Sequence, residues 1–346
     1  MINDKIPHIS IIMLNWNGWR DTIKCLESLF HINYNNYDVI VVDNGSQDDS
    51  ITKIKEYCKG SIKVNTKFDD FDQKNKPIKV FEYTKEEVEE SKDLINLKII
   101  NEIASNKKIH IIRNSKNYYF AGGNNVGIKF IVENLDTDYI FLLNNDMIFE
   151  KNFLIELVEY GEKNKNVGIL GPRICLYDNP NLNQWSYLQH IKNPKELNIV
   201  SGGAILIRKN VVNRIGYLDR RFKMYHDDWD FCLRAIKCGF LVVYIPTKDK
   251  ILHKISGSAN TMSGFKIYFS VRNRLILNKK NLQNREFLKF LLTYIIIIIF
   301  KETREAHKQI RKDIIRGLIS GIILVVKNKV FLIRNGYQKI SFYIVY

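Results

Sequence analysis

Asp227, Asp228 and Asp230 put three carboxylates within four positions, inside the run Tyr225-His226-Asp227-Asp228-Trp229-Asp230. Like charges this close raise one another's pKa, and burying them unpaired costs more, so such a cluster calls for a metal, a basic partner or open water. The structural alternative is a helix N-terminus, with Asp227 or Asp228 capping the first turn and the acids suiting the helix dipole. A second acidic site, Leu142-Leu143-Asn144-Asn145-Asp146-Met147, ends an apolar strand-like run at a polar tip. That second site favours chemistry over capping alone.

The elements that must position these groups follow a βαβ rhythm. Ile9 to Leu14 and Tyr37 to Val42 are short β-branched runs, separated by a helix-like segment from Asp21 to Phe30. Ile109 to Ile112 and Tyr139 to Leu143 repeat the pattern around a helix-like segment from Ala121 to Glu133, entered through Gly122 and Gly123. Buried strands alternating with helices predict a mostly parallel sheet covered on both faces, which binds ligands at the carboxyl ends of its strands. Those ends read Asn15-Trp16-Asn17-Gly18, Asp43-Asn44-Gly45-Ser46, Arg113-Asn114 and Asn144-Asn145-Asp146. Further on come a helix from Phe153 to Lys163, strands at Val167 to Leu170 and Leu241 to Tyr244, and a loop through Trp185 and Pro194. The lysine- and acid-rich stretch 59–108 is too long for an ordinary connection and is read as an insertion.

The net charge of +16 is unevenly placed. From Lys254 to Tyr346, 18 lysines and arginines stand against four acids. The same region holds two uncharged runs, Phe290 to Phe300 with five consecutive isoleucines and Gly317 to Val326. Both are too short to span a bilayer as helices, which takes about 20 apolar residues. Basic residues beside short apolar runs fit a segment held on an anionic membrane surface. Nucleic acid is the poorer partner for this tail, because it gives the isoleucines no role. The expected division is therefore a catalytic domain over 1–263 and a helical, basic, membrane-associating region over 264–346. Five cysteines without paired spacing predict buried, reduced thiols. With no secretory apolar segment at the N-terminus, the expected place is the inner, cytoplasmic face of the membrane.

Six pieces in order resemble family 2 glycosyltransferases of the GT-A fold, in the rhamnosyltransferase-like and galactofuranosyltransferase-like branch. They are Val41 to Ser46, Ala121 to Gly127, Leu143 to Asp146, Ser201 to Ala204, Gly216 to Arg234, and His253. The resemblance implies an inverting enzyme that takes one sugar from a UDP- or dTDP-sugar to a lipid-linked or other glycan hydroxyl, with Mg²⁺ or Mn²⁺ as cofactor. By the same resemblance Asp146 and His253 hold the metal, and Asn144 stands where the family has its first metal-site acid. Asp43 would accept the imide N–H of uracil or thymine. Asn15, Asn44, Gly123, Asn124, Asn144 and Asn145 would complete the donor site. Asp228 would be the base that takes the acceptor proton, Asp227 would position the hydroxyl, and Asp230 would pair with Arg234 at helical spacing.

Competing readings lack their residues. A nucleotidylyltransferase of the same sheet needs a glycine- and lysine-rich phosphate loop after the first strand, and a dinucleotide enzyme needs GxGxxG there. Asn15-Trp16-Asn17-Gly18-Trp19-Arg20 supplies neither. A non-catalytic membrane-bound sugar-nucleotide-binding protein gives no reason for Asp146, Asp228 and His253 to coexist. A homo-oligomer is a further partner state the tail allows.

Overall fold

A computed structural model describes residues 6–90, 94, 97–183, 199–254, 264–298 and 308–327. The loop expected through Trp185 and Pro194 lies outside the described residues, as does the chain after Lys327. The molecule divides into two compact units, Met1–Thr261 and Met262–Tyr346.

The first unit opens with β1 (Ile9–Asn15), α1 (Trp19–Leu29), β2 (Tyr37–Asp43), α2 (Ser50–Lys59), β3 (Lys79–Thr84), α3 (Lys85–Glu90) and α4 (Leu97–Asn101). It continues through β4 (Lys108–Arg113), α5 (Tyr119–Asn134), β5 (Tyr139–Asn144), β6 (Met147–Phe149), α6 (Phe153–Lys163), β7 (Val167–Gly171) and β8 (Ile174–Leu176). After the undescribed loop come β9 (Ala204–Arg208), α7 (Lys209–Ile215), α8 (Asp227–Lys237), β10 (Leu241–Tyr244) and β11 (Ile251–His253).

Eight strands form one sheet in the order β10-β7-β9-β5-β1-β2-β4-β3, and β6, β11 and β8 form a second, smaller one. The large sheet is parallel except for β9, which runs antiparallel to both β5 and β7. Because side chains alternate along a strand, neighbouring residues of β1 serve opposite cores. Ile11 and Met13 join the apolar layer that also contains Leu26 of α1, Tyr57 of α2 and Leu157 of α6. Ile12 packs into the other, with Ile128 of α5, Val211 of α7 and Phe231 of α8. The resulting architecture is a mixed α/β layer fold with helices on both faces.

The stretch 59–108 is not a mere insertion. It contributes β3, which extends the sheet beyond β4. Lys79 and Glu82 are exposed because β3 is an edge strand, and charge on an edge hides strand character while blocking further pairing.

In the second unit, α9 (Gly264–Asn281), α10 (Asn284–Ile297) and a helix over Lys308–Lys327 share a core of Val271, Leu275, Tyr294, Ile298, Ile314 and Leu318. Gly317 lets the last helix approach α9 closely, since a Cβ there would lie 2.6 Å from the Tyr268 carbonyl oxygen. Among the described residues no helix is long and apolar enough to cross a membrane.

Candidate active site

Parallel register aligns the strand tips side by side. Asn15 lies opposite Asp43, Asp43 opposite Arg113, and Leu14 opposite Asn144. A chain of hydrogen bonds then ties three of these tips together. Asn145 Nδ2 donates to Thr22 Oγ1 at 2.9 Å, and Thr22 Oγ1 donates to Asn15 Oδ1 at 2.8 Å. Asn15 Nδ2 in turn donates to Asp43 Oδ1 at 2.8 Å. Thr22 on α1 is a link not legible from residue pattern, since a threonine in an amphipathic helix has nothing to distinguish it.

Asp43 is therefore held in place. Ser46 adds its hydroxyl to Oδ1 at 2.6 Å and its backbone N–H to Oδ2 at 3.1 Å, so the turn after β2 and the carboxylate orient each other. Beside it opens a cavity of about 710 Å³, lined by Trp16, Asp43, Ser46, Lys55, Arg113 and Lys116 among others. Acidic and basic groups share its wall, which suits a ligand with a polar ring and a phosphate. Trp16 is exposed there, an aromatic face the strand-tip reading did not assign a role.

Several residues expected to touch the donor brace the site instead. Asn15 is fully buried and faces Thr22 and Asp43. The Asn44 amide donates to Asn117 Oδ1 and the Tyr119 carbonyl, and its Oδ1 accepts from Asn114 Nδ2 and the Tyr118 N–H. Those four bonds use its whole capacity. Gly122 and Gly123 lie inside α5, not in a turn before it, and a Cβ on Gly123 would lie 2.5 Å from Leu14 Cδ1. Gly123 thus allows α5 to sit close on β1 and β2. Asn124 is buried with its amide on the Phe120 carbonyl, so it too acts within α5.

The smaller sheet assembles the second part of the site. Strand β11 pairs antiparallel with β6 so that His253 lies opposite Met147, one residue past Asp146. His253 Nε2 comes to 3.1 Å from Asp146 Oδ1, and the Lys254 N–H donates to the Asp146 carbonyl at 3.0 Å. Asn144 stays half-buried at the tip of β5, its N–H donating to the Gly203 carbonyl at 2.9 Å.

The third part is the acidic cluster. His226, not an aspartate, occupies the N-cap position of α8, with no side-chain capping bond, so the capping role foreseen for Asp227 or Asp228 is absent. Asp228 Oδ2 instead accepts the Gly202 N–H at 2.9 Å, and Oδ1 accepts the Trp229 N–H at 2.9 Å. Asp227 is 3% exposed, and its Oδ2 has no hydrogen-bond partner among the described residues. Burial, then the neighbouring Asp228 charge, pushes the Asp227 carboxyl well above the usual carboxylate range. Burial raises Asp228 as well, opposed by the Gly202 and Trp229 N–H groups. A carboxylate raised by burial and fixed in position is a better proton acceptor than an ordinary one. Asp230 is structural: it accepts from Arg234 Nε at 2.9 Å, while the same guanidinium donates to the Ile215 and Tyr217 carbonyls.

The segment entering α8 is backbone-strained. Lys223, Tyr225 and His226 have φ of 61°, 64° and 64°, unusual for residues with a Cβ. Such strain persists where surrounding contacts fix it, commonly at ligand sites.

The glycosyl transferase family 2 sequence model matches residues 10–76 and 90–222. The chain belongs to that family. This family 2 chain is 26% identical over 187 residues to a hexosyltransferase of low-salt glycan biosynthesis, Agl10, from Haloferax volcanii. That match takes in 50% of the chain and spans 61% of the relative's length. It is 24% identical over 254 residues to the dTDP-rhamnosyl transferase RfbF of Shigella flexneri, covering 65% of the chain and 85% of the relative. Among solved structures, the mannosyltransferase PcManGT of Pyrobaculum calidifontis, in complex with GDP-Man and Mn²⁺, superposes with a TM-score of 0.57. The superposition covers 94% of the chain and 89% of the other at 10% identity, a likeness of fold, which is GT-A.

Among the described residues no three or more His, Cys, Asp and Glu side chains gather into a metal cage. The donor set that does converge is one carboxylate and one imidazole. It fits a divalent ion that takes its other ligands from phosphate oxygens and water, as Mg²⁺ commonly does.

Proposed function

We propose that the protein is an inverting, metal-dependent glycosyltransferase that moves one sugar from a UDP- or dTDP-sugar to a hydroxyl of a lipid-linked glycan at the cytoplasmic membrane face. The observation that carries this reading is the meeting of two groups across Gly202-Gly203. On one side Asn144, two residues before Asp146, bonds the Gly203 carbonyl; on the other Asp228 accepts the Gly202 N–H. A leaving-group site and a proton acceptor thus flank one short backbone segment.

Asp146 and His253 would hold the ion. When bound, it offsets the charge of the departing nucleoside diphosphate without proton transfer. Asp43, fixed by Asn15 and Ser46, keeps acceptor capacity on Oδ2 for the imide N–H of a pyrimidine in the cavity. Asp228 takes the proton of the acceptor hydroxyl as its oxygen bonds the anomeric carbon and the bond from that carbon to the diphosphate breaks. One displacement from the far side inverts the centre. Such a base contributes about 10²–10⁴ in rate. Asp227, buried at its flank, orients the hydroxyl. The basic, apolar C-terminal unit supports a lipid-linked acceptor and an anionic membrane as partners, because an enzyme held at the surface meets such an acceptor directly.

The test is a panel of UDP- and dTDP-sugars with a polyprenyl-linked acceptor and Mg²⁺ or Mn²⁺. Nucleoside diphosphate release matched by transfer, and lost with chelator, is the expected result. Donor binding without transfer would make the chain a binding protein; pyrophosphate release from a sugar phosphate and a nucleoside triphosphate would make it a nucleotidylyltransferase.

A further inference from the structure

Each of the last two described helices is apolar on two sides. On α10, Phe287 and Tyr294 are buried, yet Leu288, Leu292 and Ile296 form an exposed stripe at intervals of four, with Leu292 64% exposed. On the helix over Lys308–Lys327, Ile314, Gly317, Leu318 and Gly321 face inward, while Ile315, Ile319 and Ile323 form a second exposed stripe, Ile319 at 53%. Four-residue spacing keeps such side chains on one face of a helix. A helix that served only its own core would turn polar residues to water, so contiguous exposed leucine and isoleucine mark an interaction surface.

The charges beside the stripes indicate the occupant. Arg285 and Lys289 flank Leu288 and Leu292, and Arg311, Lys312 and Arg316 flank Ile315 and Ile319; all five are exposed. The acids in these two helices are engaged. Glu286 closes the capping box with Gln283 at the start of α10, and Asp313 is buried, 3.7 Å from Arg316. Long basic side chains can keep their charge at a headgroup while their stems and the neighbouring aliphatic groups lie deeper. A protein partner with an apolar groove would account for the isoleucines but gives no role to basic residues on both helices.

We propose that the stripes Leu288, Leu292, Ile296 and Ile315, Ile319, Ile323 dock on an anionic lipid surface, lying in the headgroup region parallel to the membrane plane without spanning it. This deepens the proposed membrane-face function and rests on that reading for its purpose, though its evidence is independent of the catalytic site. The surface is apolar as well as electrostatic, so part of the binding persists in salt that would release a purely basic patch.

Flotation of the full chain with phosphatidylglycerol-containing or phosphatidylcholine-only vesicles tests it. The expected result is recovery with the anionic vesicles, and an Ile319→Ser, Ile323→Ser double variant whose affinity for them falls about tenfold or more. Circular dichroism and thermal unfolding should match the parent protein, and Leu292→Ser on the other helix repeats the test if the double variant does not fold. Unchanged recovery overturns the proposal, as does a change from oligomer to monomer with recovery unaltered, which would make the stripe a contact between copies. Donor turnover without vesicles separates this from the catalytic reading: a chain that floats but releases no nucleoside diphosphate from any donor keeps the docking surface and loses the proposed chemistry.

Discussion

Gly202→Ala should impair the reaction by moving the proposed base, Asp228, although residue 202 itself carries no functional group. A Cβ on Gly202 would sit 3.1 Å from Asp228 Oδ2, 3.2 Å from its Cβ and 3.3 Å from its Cγ, closer than ordinary contact at 3.4–4 Å. Asp228 must therefore give by a few tenths of an ångström, and its 2.9 Å bond from the Gly202 N–H must lengthen. A 1 Å displacement in an active site can cost about 10²-fold, so the expected loss in kcat is about 3- to 10-fold. The pH profile supplies a second sign. The Gly202 N–H lowers the Asp228 carboxyl against the burial that raises it. Weakening that bond raises the carboxyl further, and because the base must be deprotonated, the acid limb of kcat moves to higher pH. Nucleoside diphosphate release followed across pH reads both effects. A variant with parental kcat and an unmoved acid limb would refute the positioning argument; a fall in kcat without the pH shift would reduce Gly202 to packing.

Asp146→Ala should abolish transfer, and His253→Ala should raise the Mn²⁺ concentration needed for half-maximal rate by about tenfold or more, measured by metal titration; activity that survives chelation would contradict the metal site. Asp227→Asn should stabilise the fold above neutral pH by about 1–3 kcal/mol. The folded Asp227 carboxyl is raised, so the stability it supports in acid is lost as pH rises through its folded pKa, and asparagine removes that loss. Thermal melts at pH 8 and pH 4 check it, with the gain expected to vanish at the lower pH. His110 lies between Phe81 and Phe130, and burial pulls its pKa down to about 4. Since the unfolded imidazole titrates near 6.5, stability should fall as pH drops from 6.5 toward 4, by about 3 kcal/mol at the lower end. His110→Phe should flatten that part of the urea-melt profile even though the nearby Asp38 carboxyl, held down at about 2, keeps its charge.

Strand tips were the legible part of this molecule. The βαβ rhythm located β1, β2, β4 and β5 to within a residue or two, because each is a short, mostly apolar run that ends in polar residues. Parallel register then had to bring Asn15, Asp43, Arg113 and Asn144 to one edge. The direction of β9 was not legible, since alternation is the same whichever way a buried strand runs. The edge strand β3 hid in its charges. Asparagine is the least legible residue type here, because it suits a ligand contact and an internal brace equally. Only the four filled bonds of Asn44 and the burial of Asn15 and Asn124 distinguish the two. The convergence of His253 on Asp146 rested on resemblance alone until the β6 and β11 pairing gave it a geometric cause.

In the proposed displacement Asp228 accepts the acceptor's proton, and Asp228→Asn isolates that role because the amide keeps the shape and removes only the basicity. Donor affinity measured by calorimetry in the presence of Mn²⁺ should stay within about twofold, while transfer in a single turnover falls by about 10²–10⁴. Transfer above about a tenth of the parental rate would rule out Asp228 as the base and move that role to Asp227.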